Sequence, residues 1–377
     1  MNLSWDLKDL FKSNENFYKE MEMIEHLLSE IKIYSKEKLD ENSLLDMLNL
    51  KWKIKELANN VLIYGSLMYY KNVNSDECTK LKKDAEEFNE KVNLELSFIN
   101  RKIIEIGQDK INDFIDNNPK LSIYKLALDN LFRMLNHVQT DKTNEKISKN
   151  LSSINSMLDS YNKFLSDGNY GEIEVDGDLI EVTSSNLVKL LASSNREIRK
   201  KAYMLANKKF KNNADEFAQI LSSILDYRNA NSKLEKYNSV LEKVLFEENI
   251  DPQIVLTLIK SVNDNLKLIH RYLKIKSKIL GISKMHLYDF NAPISNEFIP
   301  HYTLEEGINI VKSALKPLGK TYLDVVDHLL DGHIDAILND NKHQSITFSW
   351  NTYSFMNFRG TYTDLKNLVH ELGHIVN

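Results

Sequence analysis

Thr361-Tyr362-Thr363-Asp364-Leu365-Lys366-Asn367-Leu368-Val369-His370-Glu371-Leu372-Gly373-His374 is the stretch that decides how this chain is read. Thr361 offers a hydroxyl cap, and Asp364 places an acid three residues later, near the positive end of a helix dipole. A helix is therefore predicted to start here. Leu368, Val369, Leu372, Ile375 and Val376 make it apolar enough to be buried. On such a helix His370 and His374, at i and i+4, lie nearly one above the other, so both imidazoles reach one metal ion. Glu371 follows the first of them by one position. H-E-x-x-H on a helix is the zinc-binding and general-base pattern of metallopeptidases. The competing explanation is a core helix with two incidental histidines. It would bury two imidazoles and a carboxylate without a purpose, which is costly.

Composition narrows the setting. The chain has 377 residues, 42% hydrophobic and 27% charged, as in an ordinary soluble globular protein of two domains or one large helical domain. A net charge of −5 gives no electrostatic case for nucleic acid. Cys78 is the single cysteine, so no intrachain disulfide forms and a reduced compartment is the simplest expectation. Met1 to Lys8 carries no basic segment followed by an apolar core, and no apolar run is long enough to span a bilayer. No membrane association is expected, and a cytoplasmic location follows by default.

With 5 Pro and 11 Gly, breakers are scarce and long helices are favoured. Phe17, Met21, Ile24, Leu28 and Ile31 recur at spacings of three and four, an amphipathic helix with one buried stripe. Apolar residues are denser from Leu44 to Met68 (Leu48, Trp52, Leu57, Val61, Leu67), which predicts a more enclosed helix. Helical patterns continue over about residues 76–116, 121–136 and 142–166. Glu172 to Val182 alternates around Asp176-Gly177, a hairpin signal, and helix resumes by Ser185. A lobe boundary is placed near residue 190, where the chain leaves this hairpin. Asp251-Pro252 starts another helix. Met285 to Phe290 has strand character, and Glu305 to Leu318 is helical. Ser345 to Trp350 is β-prone, with Tyr353 to Phe358 as its partner.

Assembled in order, these blocks resemble the thimet-type zinc oligopeptidases, most closely the oligoendopeptidase F branch. The resemblance is carried by Trp5-Asp6-Leu7, by Gly171 to Gly177 with Arg196-Glu197-Ile198-Arg199-Lys200, and by Tyr237 to Leu241 with Leu245 to Ile250. Tyr288-Asp289 with Ala292-Pro293, Leu315 to Gly319, and Asn357-Phe358-Arg359-Gly360-Thr361 ahead of the motif continue it. It covers essentially the whole chain. It implies a mainly α, multi-helix zincin-like fold with a deep channel and a small β-sheet near the active site. Residues 1–190 would form an N-terminal helical lobe with the hairpin near its end, and 191–377 the N-terminal portion of the catalytic domain. It implies endopeptidase action on short peptides through zinc-activated water. His370 and His374 would be the ligands of one Zn2+, and Glu371 the catalytic general base.

A working zinc site needs three protein ligands and one open position. The family's third ligand is a glutamate on a later helix, and its histidine and tyrosine groups for substrate and transition state lie later still. None can be assigned up to Asn377. The chain is therefore expected to stop short of a complete site, to bind zinc weakly and cleave little alone. A C-terminal complementing fragment is its possible partner. The apolar side of the motif helix is expected to lack packing partners. A second departure is Ser345-Ile346-Thr347, where the family has a small, glycine-containing stretch close to the substrate backbone. His328, His333 and His343 lie upstream and are better taken as surface or packed side chains than as a third ligand. Asp364, six positions before His370, is a helix-start residue. The alternative function is non-catalytic: a helical fragment or peptide-binding remnant, or one half of a split peptidase.

Overall fold

The computed structural model describes residues 3–137, 154, 157–158, 160–162, 164–165, 168–175, 177–184, 186–295, 300–343 and 346–376. Within them the chain is mainly α with small sheets, and it packs as two units, one of residues 1–135 with 300–377 and one of residues 136–299.

The first unit opens with α1 (Asn14–Ile31). Ser13 caps it by accepting from the Asn16 amide, and the three-and-four spacing buries Phe17, Ile24, Leu28 and Ile31. α2 (Glu41–Lys71) starts on a reciprocal capping box between Asp40 and Ser43. It is enclosed through Leu44, Leu48, Ile54, Val61 and Leu67, but Trp52 departs from that expectation and is 45% exposed. α3 (Asp76–Ile106) lays Leu81, Ala85, Phe88, Val92 and Leu96 into the same core. The helix expected over 76–116 is interrupted at Gly107, whose φ of 89° no side-chain-bearing residue adopts readily; α4 (Gln108–Asn117) follows. A 3-10 turn, Pro119–Tyr124, then leads into α5 (Lys125–Arg133). The helical pattern at 142–166 lies largely outside the described residues.

α2 and α3 are closest at Gly65. A Cβ there would sit 2.7 Å from the Leu81 carbonyl oxygen and 2.8 Å from the Ala85 Cβ. Gly65→Val is expected to force the pair apart at a cost of about 1–3 kcal/mol. Urea unfolding followed by tryptophan fluorescence measures it, since Trp5 and Trp52 both belong to this unit. An unchanged midpoint would mean that the helices part freely.

The second unit contains the expected hairpin. β1 (Asn169–Val175) pairs antiparallel with β2 (Asp178–Thr183), closing at Gly177 with φ of 95°; Asp176 lies outside the described residues. The unit continues through α6 (Leu187–Leu191), α7 (Arg196–Asn212), α8 (Ala214–Leu234), α9 (Val240–Glu247) and α10 (Pro252–Ile279). Residue 190 falls inside α6. Ile173 and Val182 of the hairpin pack on Ala202 and Ala206 of α7. α10 starts on Asp251, whose side chain accepts from the Gln253 amide, with Pro252 in the first turn.

The strand expected over Met285 to Phe290 is not one. Leu287–Asp289 forms a 3-10 turn with Tyr288 and Asp289 buried. Asp289 decides the local structure. It accepts from Arg196 Nη2 at 3.0 Å, Arg199 Nη2 at 2.9 Å and the His286 amide at 3.0 Å. A carboxylate gathering donors from three residues draws the backbone into a turn that alternation alone does not anticipate.

The chain then completes the first unit with α11 (Leu304–Leu315), α12 (Lys320–Leu329), β3 (Ile334–Asp335), β4 (Phe348–Trp350), β5 (Tyr353–Phe355) and α13 (Tyr362–Val376). The sheet order is β3-β5-β4, with β5 parallel to β3 and antiparallel to β4. The expected pairing of the two β-prone segments is thus present. The apolar side of α13 corrects an expectation. Leu365, Leu368, Leu372 and Ile375 are buried, packed with Ile308, Val311, Val326, Leu329 and Phe358. Partners from α11 and α12 cover the side expected to be bare. No helix among the described residues is long and apolar enough to cross a membrane.

Candidate active site

The site is built on α13, and the start of that helix is fixed by its own sequence. Thr361 Oγ1 accepts from the Asp364 amide at 3.1 Å, and Asp364 Oδ2 accepts from the Thr361 amide at 2.9 Å. This reciprocal cap is the role expected of Asp364. The Arg359 amide adds a third bond to the same carboxylate oxygen at 3.0 Å. Gly360 precedes the cap with φ of 84°, and a Cβ there would lie 2.6 Å from the Tyr302 carbonyl oxygen. Only glycine fits that approach, so the path into the helix is set.

Three turns on, His370 and His374 point outward from the same face. Their Nε2 atoms are 3.0 Å apart and their rings meet edge to face with centroids 4.5 Å apart. Two nitrogens at zinc–nitrogen distances of about 2.0–2.1 Å from one tetrahedral ion lie roughly 3.3 Å from each other. The pair therefore fits a shared zinc with a small adjustment. Both imidazoles are exposed, whereas Glu371 between them is only 6% exposed.

The Glu371 carboxylate is held by a residue that the sequence does not single out. Ser349 Oγ, on β4, donates to Glu371 Oε2 at 2.5 Å, and lies 3.3 Å from the Glu371 carbonyl oxygen. One signal could have found it. The alternation of the β-prone segment puts Ser349 on the opposite face from Phe348 and Trp350, and a hydroxyl there faces whatever covers the sheet.

Behind this face, the sheet is anchored by a buried ion pair. Lys342 Nζ donates to Asp335 Oδ1 at 2.8 Å, to the Ile337 carbonyl at 2.9 Å and to the Met356 carbonyl at 3.0 Å. Burial pushes the Lys342 pKa down against the opposing pull of Asp335. Phe348 stacks on Phe355 with centroids 5.5 Å apart and meets Tyr70 at 4.9 Å. Burial, with Asp9 and Asp6 nearby, pushes the Tyr353 phenol up to about 12.

The other histidines are engaged elsewhere. His333 stacks on Tyr353 with centroids 5.0 Å apart and lies 5.1 Å from His328. Burial and then the His328 charge lower the His333 pKa. Burial also lowers that of His343, with Lys82 adding to it, and the Asn357 amide donates to its carbonyl at 2.9 Å. Among the described residues, no group of three or more His, Cys, Asp or Glu is placed to hold a metal ion. Ser345 of the Ser345-Ile346-Thr347 segment lies outside the described residues; Ile346 is half-buried and Thr347 exposed.

Residues 189–377, half of the chain and the half that carries His370, Glu371 and His374, match peptidase family M3. The chain belongs to this family. Oligopeptidase PepF of Bacillus subtilis is 25% identical over 381 residues, covering 99% of this chain and 57% of that protein. The oligoendopeptidase F homolog of Borreliella burgdorferi is 26% identical over 382 residues, covering 99% and 64%. The crystal structure of oligoendopeptidase-F from Enterococcus faecium superposes with a TM-score of 0.70 at 20% identity, over 84% of this chain and 60% of that one. The mainly helical fold with small sheets is therefore that of the oligoendopeptidase F group. The chain spans 57% and 64% of the length of the two curated relatives.

Proposed function

We propose that this M3-family chain forms part of a zinc metallo-oligopeptidase that hydrolyses short peptides. The observation that carries the assignment is the 3.0 Å approach of His370 Nε2 and His374 Nε2 on the exposed face of α13, with Glu371, the residue after the first of them, buried against β4. The two imidazoles would hold one zinc ion. Bound there, zinc supplies Lewis-acid polarisation of the scissile carbonyl and makes water a nucleophile near neutral pH. Glu371 takes the proton of the attacking water and delivers it to the leaving amine. The names of the curated relatives, an oligopeptidase and an oligoendopeptidase F homolog, support peptides as the substrate class. A cytoplasmic setting and a catalytic portion starting near residue 190 belong to the same proposal.

The third ligand is assigned to a group outside the described residues, carried on the same polypeptide or on a complementing one. This follows from the ligand set rather than from the length: among the described residues nothing joins the two histidines as a third metal-binding group. The same observation is compatible with a second possibility, a non-catalytic helical fragment or peptide-binding remnant.

The experiment that separates them measures zinc by chelator competition and cleavage of a quenched fluorogenic peptide. Both are run with and without the C-terminal portion of a curated relative, joined or in trans. The chain alone is expected to bind zinc weakly and cleave little. With the added portion, one zinc per assembly and peptide cleavage are expected, and His374→Ala should abolish both. No cleavage at any concentration of the added portion would remove the peptidase assignment in favour of the non-catalytic one.

A further inference from the structure

We propose that Ser349 is the positioning residue of the general base: its hydroxyl fixes the Glu371 carboxylate through Oε2 and leaves Oε1 to receive the proton. This rests on the peptidase assignment above. Sheet register carries the first step. β4 lies at one edge of the sheet, and Ser349 pairs with Ser354 of β5. Phe348 and Trp350, its neighbours, pack into the core beneath the sheet. Parity then turns the hydroxyl of Ser349 to the face covered by α13.

Chemistry carries the second step. A glutamate has three side-chain torsions, and on an exposed helix face its carboxylate would sample several rotamers. Glu371 is 6% exposed and its Oε2 accepts a 2.5 Å bond from Ser349. A hydroxyl has one proton, so donation to Oε2 defines which oxygen is occupied. Oε1 accepts no hydrogen bond among the described residues. A carboxylate held at one oxygen by a strand keeps its second oxygen at a constant place. Preorganisation of this kind acts on turnover and not on peptide affinity.

The test uses Ser349→Ala and Ser349→Thr, each in the parent and in a Glu371→Gln background. In the complemented, zinc-loaded protein, Ser349→Ala is expected to lower kcat about 10- to 100-fold, the range for residues that orient a metal site's working groups. KM should stay within about twofold, and Ser349→Thr, which keeps the hydroxyl, should recover most of the loss. In the Glu371→Gln background the Ser349→Ala change should no longer lower kcat. A loss that persists there, or that falls equally on KM, or that threonine does not recover, would overturn the proposal. A second readout needs no activity. In the metal-free 377-residue chain, urea midpoints of Ser349→Ala, Glu371→Ala and the double variant should be non-additive, because after either substitution the hydrogen bond is already lost. Additive midpoints would overturn the Ser349–Glu371 pairing itself. Coupled midpoints in a protein that never cleaves peptide would instead place the failure with the peptidase assignment.

Discussion

Glu371→Gln in the complemented, zinc-loaded protein is expected to lower peptide turnover by about 100- to 10,000-fold, the contribution of a positioned general base. The substitution is nearly isosteric. The amide oxygen of glutamine still accepts from Ser349 Oγ, which donates at 2.5 Å in the parent, so the side chain keeps its place. What it loses is the capacity to take a proton. The two imidazoles are untouched, and bound zinc should remain at the parental ratio, measured by metal analysis of the same preparation. The combination of retained metal and lost turnover identifies the residue as base and not as ligand. Turnover near the parental rate would mean that the proton goes elsewhere, and Glu371 would then be a structural acceptor for the sheet. Loss of zinc along with activity would place Glu371 in the ligand set.

The parts of this site that were legible in the sequence are those set by local chemistry. The Thr361–Asp364 cap and the His370/His374 pair depend on spacings of three and four within one helix, which the chain states directly. The hairpin is similar, since Gly177 and the flanking alternation specify it without help from distant residues. What stayed hidden depends on partners far along the chain. β3 is two residues long and exists because Ile334 and Asp335 pair with Ser354 and Phe355; no periodicity can announce so short a strand. Ser349 reads as an ordinary strand serine until α13 is laid over it. Met285 to Phe290 alternates like a strand, yet Asp289 is claimed by arginines roughly ninety positions earlier, Arg196 and Arg199, and a turn results. The covering of the apolar side of α13 is hidden for the same reason. Its covering residues come from α11 and α12, which are already present upstream.

That arginine cluster carries the other large effect. Arg199→Met is expected to destabilise the second unit by about 3–5 kcal/mol, the cost of removing one member of a buried ionic group. Arg199 is 2% exposed and Asp289 0%. Besides Asp289, Arg199 donates to the carbonyls of Tyr288 at 3.1 Å, Ser193 at 2.8 Å and Ser194 at 3.0 Å. Methionine fills much of the volume but leaves these acceptors without their donor. Hydrogen exchange along α7 reports the loss, whereas Trp5, Trp52 and Trp350, all in the first unit, should keep their fluorescence midpoint. Unchanged protection of α7 would show that Arg196 alone suffices. Protonation provides an independent check on the same cluster. Burial raises the Asp289 pKa, but the bonds from Arg196, the His286 amide and Arg199 outweigh it and hold the carboxyl at about 2, below its ordinary 3.8. A depressed acid contributes stability that is present above its unfolded pKa and lost as pH falls through its folded one. About 2 kcal/mol should therefore disappear between roughly pH 4 and pH 2. The loss should be absent in Asp289→Asn, which cannot titrate; an identical acid limb in parent and variant would assign that stability to other carboxylates.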